Sequence, residues 1–511
     1  MSNNYFLKMF LDNVIMHPNN IAIEIGLSKM SYKDLFIEAT LLVNKIKAHN
    51  VDIPIIGILS YKNHSTYSSI VAANMLGVAF VPLNKNFPIS RSIQIIKSSG
   101  INCLIYDNDC IAYFNLLALN IGGLNLLSIN FSLYNNVNHT LNELEVIKDN
   151  YALLINSSNY AYIMFTSGST GVPKGVPISY KNLFTFIEYC QSKYHINRND
   201  RLSHTFDLTF DLSLFDIFMA LSHGATLIVI SPLELLSPVA IIKNKNINIW
   251  FSVPSLAKLS FKKDLLLPNS LPNLRLSLFC GEPLFVDLAR VWMSAAPNSR
   301  VENLYGPTEL TIACSYYDCR NLLIDKISSH IVPIGTIFNH LEYLILRENM
   351  TEVSDNETGH LYVSGPQLFS GYLNDSVKMS QVFIIYNKKI YYRTGDLVKT
   401  YNGILQYIGR TDDQVKINGY RIELLEIEAC IKNVHGIHDV IVLDYLENDT
   451  QEKKLALFYA SIPTINKNSI YQALKKKLPK YMIPNILIKL DTFPVNLNGK
   501  VDRHKLRSYL Q

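Results

Sequence analysis

An apolar run, YIMF, leads straight into TSGSTGVPKGV, and together they fill 162–176. Glycines let backbone N–H groups approach a bound oxygen closely, hydroxyls add donors and a lysine adds charge. Thr166, Ser167, Gly168, Ser169, Thr170, Gly171 and Lys174 therefore have the chemistry of a polyphosphate cradle. The spacing is not GxxxxGK[ST], so this is no Walker A loop. Taken alone, the stretch also fits a solvated Ser/Gly surface loop. Other chemistry-bearing residues have equally bland readings in isolation. Asp396 in YRTGDL offers two acceptor oxygens suited to a pair of hydroxyls, yet a lone Asp there is commonly a turn or cap. Glu309 in YGPTE could cap a helix, Arg410 could be a surface charge, and Lys500 on its Asn-Gly turn could simply be solvated. Asp211, in FDLS, is a helix cap if exposed and an expensive unpaired charge if buried.

The order of blocks along the chain narrows these alternatives. After 162–176 come TFDLTFDLSLFDIF (205–218), LFCGEPL (278–284), NLYGPTE (303–309), YRTGDL (392–397), GRTDDQVKINGYRIE (409–423) and PVNLNGKVDR (494–503). This series closely resembles the adenylate-forming superfamily, and within it the adenylation enzymes of nonribosomal peptide synthesis and the D-alanine–carrier-protein ligases. It spans essentially the whole chain in the family's order. The resemblance implies ATP and Mg²⁺ as cofactors. It implies that adenine stacks on Tyr305 beside Gly281, Glu282 and Pro283, with Asn303 at its edge and Leu304, Gly306, Pro307 and Thr308 around the nucleotide. Asp396 would hold both ribose hydroxyls and Arg410 would close the sugar site. Glu309 and Thr166 would hold Mg²⁺, a hard cation that takes carboxylate and phosphate oxygens. Lys500 would be catalytic, its ammonium meeting the substrate carboxylate and the α-phosphate as negative charge builds. Asp412 would be a hinge, and Lys416 and Gly419 would line the path of a carrier protein's phosphopantetheine arm.

The same resemblance gives Asp211 the task of pairing a substrate α-ammonium. Asp207 stands four residues earlier in a similar FDLT, and Asp211 is preferred because LSLFDIF follows it. Positions carried over from neighbouring motifs line the side-chain pocket with Leu212, Phe215, Ser252, Leu278, Cys280, Leu304, Ile312 and Ala313. Nothing there would satisfy a charged substrate side chain. LFCGE, with Cys280, is close to the pattern of D-alanine ligases, so alanine is the first expectation and other small aliphatic amino acids follow. The expected reaction is activation of that amino acid to aminoacyl-AMP and transfer to a carrier thiol. No carrier segment follows Gln511, so the carrier is expected to be a separate chain. An acyl- or aryl-CoA ligase shares almost every block except the one at Asp211, and is the competing reading. A degenerate nucleotide-binding module is the non-enzymatic one, against which stand Lys500, Glu309 and Asp396 together.

Such residues need a scaffold to converge on one site. Short apolar runs at 53–60, 101–107, 225–231 and 247–253 have strand length and β-branched content. Between them lie helical stretches, among them 31–50, where a Ser31 cap precedes Leu35, Phe36, Ala39, Leu42, Val43 and Ile46 on one face. The alternation predicts an α/β fold with largely parallel or mixed sheets and helices packed on them. A polar, turn-prone stretch at 409–414 suggests a boundary, giving a core at 1–410 and a small, mobile α+β lid domain at 411–511. The lid should hold helices at 423–433 and 468–478 and strands at 439–445 and 454–461.

Composition excludes several partners. The charge of +5 arises from 47 basic and 42 acidic residues without a basic run that could track a nucleic-acid backbone. Seven cysteines without CxxC spacing suggest reduced thiols, and the amino terminus lacks a signal-peptide pattern, so a cytoplasmic monomer is expected. The segment 111–131 is apolar enough to raise a membrane span, but its asparagines and Gly122-Gly123 favour buried pieces of a water-facing domain.

Overall fold

The computed structural model describes residues 5–122, 126–131, 160–168, 171–323, 330–432, 434–447, 452–461, 465–494 and 501–510. The helix expected at 31–50 runs Tyr32–Ala48. Ser31 accepts from the Asp34 amide while the Asp34 carboxylate reaches back to Ser31, and the six expected apolar residues are buried. The four apolar runs become the strands Ile55–Leu59, Cys103–Tyr106, Thr226–Val229 and Ile249–Ser252.

Three large sheets organise the first four hundred residues. In a nine-stranded sheet the central strands run Arg300–Tyr305, Leu276–Phe279, Ile249–Ser252, Arg201–His204, Thr226–Val229 and Ile21–Ile25 from neighbour to neighbour, all parallel. Antiparallel strands close both edges. A six-stranded sheet is parallel except for its last pair, Tyr160–Thr166 against Lys174–Ser179, whose connection is the Ser/Gly loop. A five-stranded antiparallel sheet contains Lys389–Tyr401 and Ile404–Arg410. Strands buried on both faces tend to be apolar throughout, and the four runs named from the sequence are of this kind.

Beyond Arg410 come a hairpin, Gln414–Ile417 with Tyr420–Glu423, and a three-stranded sheet, Ile437–Leu446, Lys453–Ser461 and Ile486–Lys489. Helices Leu424–Lys432 and Lys467–Lys477 cover that sheet, within a residue of their expected bounds. Val415, Ile427, Val442, Leu457 and Leu487 belong to a hydrophobic cluster of their own, whose buried members all fall within 415–487. The segment 111–131 forms the helix Ile111–Ile121 and the strand Leu127–Asn130, which pairs with Cys103–Tyr106. Among the described residues no helix is long and apolar enough to cross a membrane. All seven cysteines are buried free thiols.

Candidate functional site

In open α/β sheets ligands bind beyond the carboxyl ends of the parallel strands. Four adjacent strands end side by side here, and their ends release the segments 205–211, 253–255, 280–283 and 306–314. Gly281, Glu282 and Pro283 from one, and Asn303, Leu304 and Tyr305 from the next, wall a cavity of about 110 Å³. Asp396 and Arg410 of the antiparallel sheet and Gln414, Val415 and Lys416 of the hairpin complete it. Residues spread over more than a hundred positions thus meet in one place.

Polar groups in this cavity are ordered by a chain of contacts. The Tyr305 hydroxyl donates to the Asp396 carboxylate. Arg410 donates to the other Asp396 oxygen at 2.7 Å and through its remaining N–H groups to Asp412 at 2.7 and 2.8 Å. A carboxylate so held keeps further acceptor sites for a diol. Asn303 Nδ2 donates to the Pro333 carbonyl at 2.9 Å, and its buried Oδ1 has no hydrogen-bond partner among the described residues. An exocyclic amine is the kind of group that oxygen can accept. Lys416, expected on the carrier-arm path, sits with its ammonium 6.0 Å from the centre of the Tyr305 ring, inside this cavity.

The Ser/Gly loop is held from the carboxyl-terminal side. Ser167 Oγ donates to the Arg421 carbonyl at 2.8 Å and accepts from the Glu423 amide at 3.1 Å. Lys174 Nζ donates to Glu423 at 3.2 Å, and the Gly168 amide donates to Glu426 Oε2 at 3.0 Å. Glu426 is anchored in turn by Arg91, 2.6 Å away in a buried pair. Gly171, at φ +80°, donates its amide to the Gly168 carbonyl at 2.9 Å and so closes the loop on itself. Ser169, Thr170 and Lys500 lie outside the described residues.

Glu309 is fully buried and accepts from Arg421 Nη1 at 2.8 and 2.7 Å and from the Tyr372 hydroxyl at 2.6 Å. Burial alone would raise its carboxyl, but the Arg421 charge and these bonds overcome burial and hold it down at about 2. It is therefore a carboxylate at any working pH. The Thr166 hydroxyl is buried with no partner among the described residues. Glu309 and Thr166 both offer hard oxygens of the kind Mg²⁺ takes alongside phosphate oxygens, but in this arrangement both Glu309 oxygens are held by Arg421. Among the described residues no group of three or more His, Cys, Asp or Glu could hold a metal unaided.

Asp211 stands at the start of the helix Leu212–Ser222 without making a side-chain cap bond. It is 5% exposed and lines a small cavity with Thr166, Ser167, Thr308 and Arg421. Burial pushes its carboxyl up to about 6, the Thr308 hydrogen bond pulls down, Glu309 pushes up, and Lys416 and Arg421 pull down from a distance. Asp207 is differently placed. It accepts from Asn84 at 2.7 Å and from its own Thr209 amide and hydroxyl at 2.9 and 2.6 Å, which is loop scaffolding. Thr308, expected with the nucleotide group, lies against Asp211. The eight pocket positions are all at most 3% exposed. Phe215 packs edge-on against Phe251 at 5.0 Å, and the Ser252 hydroxyl is used up between Trp250 and the Val253 carbonyl.

Two glycines are required by contact. A Cβ at Gly306 would lie 2.6 Å from Ala313 Cα, so the GPTE turn could not close on the next loop. Pro307, which follows, has the extended backbone preceding the short helical turn Thr308–Leu310. Gly419 has φ +81°, its amide donates to Glu282 at 2.8 Å, and a Cβ there would meet Val253 at 2.5 Å and Phe210 at 3.3 Å. Beside it, Asn418 and Tyr420 border a cavity of about 290 Å³ with Phe206, Phe210 and Val253.

A cavity at the ends of parallel strands, with a diol-competent carboxylate and a Ser/Gly/Lys loop beside it, has the elements of a nucleotide-handling α/β enzyme. The chain belongs to the AMP-binding enzyme family, whose model matches residues 10–373. It is 29% identical over 500 residues to the D-alanine–D-alanyl carrier protein ligase of Bacillus licheniformis, covering 96% of both chains. Against the ligase of the same name from Bacillus cytotoxicus it is 30% identical, covering 94% of both. The Vibrio cholerae adenylation domain AlmE, solved in complex with glycyl-adenosine-5'-phosphate, superposes with a TM-score of 0.86 at 28% identity, over 99% of this chain and 98% of that one.

Arg421, Glu423, Glu426, Arg91 and Tyr372 went unassigned in the sequence reading. The first two stand inside the GYRIE block, so their neighbourhood was marked; their partners were not.

Proposed function

We propose that the chain activates a small amino acid, alanine first, as its adenylate and passes the aminoacyl group to the thiol of a separate carrier protein. The observation that carries this is Asp211, a buried carboxylate whose direct bond is to a hydroxyl and whose burial is costly until an ammonium pairs with it. The named activity of the Bacillus relatives and the glycyl adenylate held by AlmE support an amino acid of this size. In the first step a substrate carboxylate oxygen attacks the α-phosphorus of ATP and the bond to the β-phosphate breaks, releasing pyrophosphate. Tyr305, Asn303 and Asp396 orient the nucleoside, while Ser167, Gly168 and Lys174 face the phosphates. Mg²⁺ at Glu309 and Thr166 would offset phosphate charge. In the second step the carrier thiol attacks the acyl carbon and AMP leaves. Residues 411–511 act as a lid moving about Asp412, with Lys500 serving the first step and the hairpin serving the second.

ATP–pyrophosphate exchange with glycine, both alanine enantiomers, valine, propionate and benzoate tests the reading. Alanine or glycine should lead. If propionate or benzoate supports faster exchange than every amino acid, the CoA-ligase reading replaces this one. Glycine is the one alternative amino acid with a specific observation behind it, the AlmE complex. A second expectation concerns Gly419, packed without room for a side chain between Val253 and Phe210. Gly419→Leu should lower aminoacyl transfer to the carrier by about tenfold or more and change pyrophosphate exchange by less than about threefold, since only the docked hairpin is obstructed. Radiolabelled loading of the carrier, run beside the exchange assay, reads both.

A further inference from the structure

The loop after Glu309 carries an unusual backbone. Thr311 has φ +58° and Ile312 φ +73°, two consecutive non-glycine residues in the left-handed region, and both are buried. A β-branched residue such as Ile312 is strained there. Strain of this kind persists only where the surroundings over-determine it, and it concentrates at functional sites. The loop ends in Ile312 and Ala313, two of the residues assigned above to the amino-acid pocket.

What holds it is Gln367, fully buried and more than fifty positions away. Its Nε2 donates to the Leu310 carbonyl at 2.9 Å and to the Ala313 carbonyl at 2.8 Å, so one amide spans the strained pair from both ends. The Thr311 hydroxyl donates back to the Gln367 main-chain carbonyl at 2.7 Å. Because carbonyl oxygens only accept, the amide can face them only with its NH₂, which leaves Oε1 toward His340 Nε2 at 2.5 Å. His340 must then carry its proton on Nε2 and donate. Its ring is steadied by Tyr189 and Phe338, with centroids 5.1 and 6.0 Å away. The arrangement continues to the backbone of the neighbouring turn, since the Phe369 amide donates to the Glu309 main-chain carbonyl at 3.0 Å.

We infer that Gln367, oriented by His340, is a positioning residue for amino-acid selection: it pins the left-handed turn Thr311–Ile312 and thereby fixes how much room Ile312 and Ala313 leave for the substrate side chain. Gln367 itself touches no reacting atom. Its loss leaves carbonyls of a buried turn unsatisfied and lets the turn relax toward ordinary backbone, which moves two pocket walls while leaving Asp211, Tyr305 and Asp396 in place. The inference rests on the amino-acid reading above.

The test uses the full-length enzyme in ATP–pyrophosphate exchange with alanine and valine, comparing wild type, Gln367→Met and His340→Phe. Gln367→Met keeps length and removes both donors; His340→Phe keeps the ring and removes only the N–H that orients the amide. Gln367→Met should lower the ratio of kcat/KM for alanine to that for valine by about fivefold or more, through the KM of alanine, with the KM for ATP within about twofold of wild type. His340→Phe should move the ratio in the same direction by less. A smaller change in the Gln367→Met ratio, or parallel loss for alanine, valine and ATP, overturns the inference. Should Gln367→Met fail to fold by circular dichroism, His340→Phe decides, and an unchanged ratio in it is equally fatal. A wild type that activates no amino acid sinks the underlying reading. A Gln367→Met enzyme that discriminates as well as an active wild type sinks this inference alone.

Discussion

Asp211→Ala is expected to lower kcat/KM for the amino acid by roughly two to three and a half orders of magnitude, because removing one partner of a buried ion pair costs about 3–5 kcal/mol. Asp207→Ala should cost far less, since that carboxylate is occupied by Asn84 and Thr209 and its loss loosens a loop. Melting temperatures of both variants separate folding from binding. The wild type should also show an acidic limb. Burial holds the Asp211 carboxyl at about 6, so below that pH it is protonated and cannot pair an ammonium. kcat/KM should therefore rise with pH, by about tenfold per unit on the steep part, and level off above about 6. In the free enzyme the stability effect has the opposite sense: a raised carboxyl loses folding stability as pH climbs from the ordinary carboxylate range to about 6. Retention of amino-acid activation by Asp211→Ala, or the same acidic limb in that variant, would remove Asp211 from the ammonium site.

Lys500→Ala should lower the adenylation rate by about a hundredfold or more while leaving ATP affinity within about threefold of wild type. A cation placed where charge develops contributes to the transition state more than to the ground state. The expectation follows from the NLNGK block and its resemblance, as Lys500 lies outside the described residues. Single-turnover formation of aminoacyl-AMP, with equilibrium binding of ATP alongside, measures the two quantities separately. Thioester formation from supplied aminoacyl-AMP should be nearly unaffected. Pyrophosphate exchange within about threefold of wild type would show that the lysine has no such role.

The elements that were legible in sequence are those written in local patterns. Tyr32–Ala48 announced itself by cap and periodicity, and four of the buried parallel strands by short apolar runs, whereas RLSH at Arg201–His204 and RVENLY at Arg300–Tyr305 carry no such run. The strand Ile486–Lys489 escaped notice because four residues beside Pro484 and Asn485 carry too little pattern. For the site, motif spacing brought out residues that line one cavity, from Gly281 to Arg410. What it could not give were pairings that exist only after folding. Glu309 with Arg421, Glu426 with Arg91 and Gln367 with the Leu310–Ala313 carbonyls join residues 112, 335 and up to 57 positions apart, and no local period encodes such a meeting. Lys416 shows a finer shortfall: its block was identified, but the cavity its ammonium enters depends on how the hairpin docks.

That docking has a consequence for the order of events. On the proposed reading a triphosphate would need Lys174, the Gly168 amide and Ser167, and its cation would need Glu309. In the arrangement described, Glu423, Glu426 and Arg421 hold those same groups. The hairpin and the helix Leu424–Lys432 that follows it are thus a resident counter-ligand, with the Glu423 and Glu426 carboxylates in the stead of phosphates and the Arg421 guanidinium in the stead of a metal. Two occupants with matching charge patterns cannot share one berth, and whatever free energy either gains on binding is set against the other. On that reading polyphosphate and docked hairpin would alternate as tenants, and the departure of pyrophosphate would free the berth for the surface proposed to face the carrier.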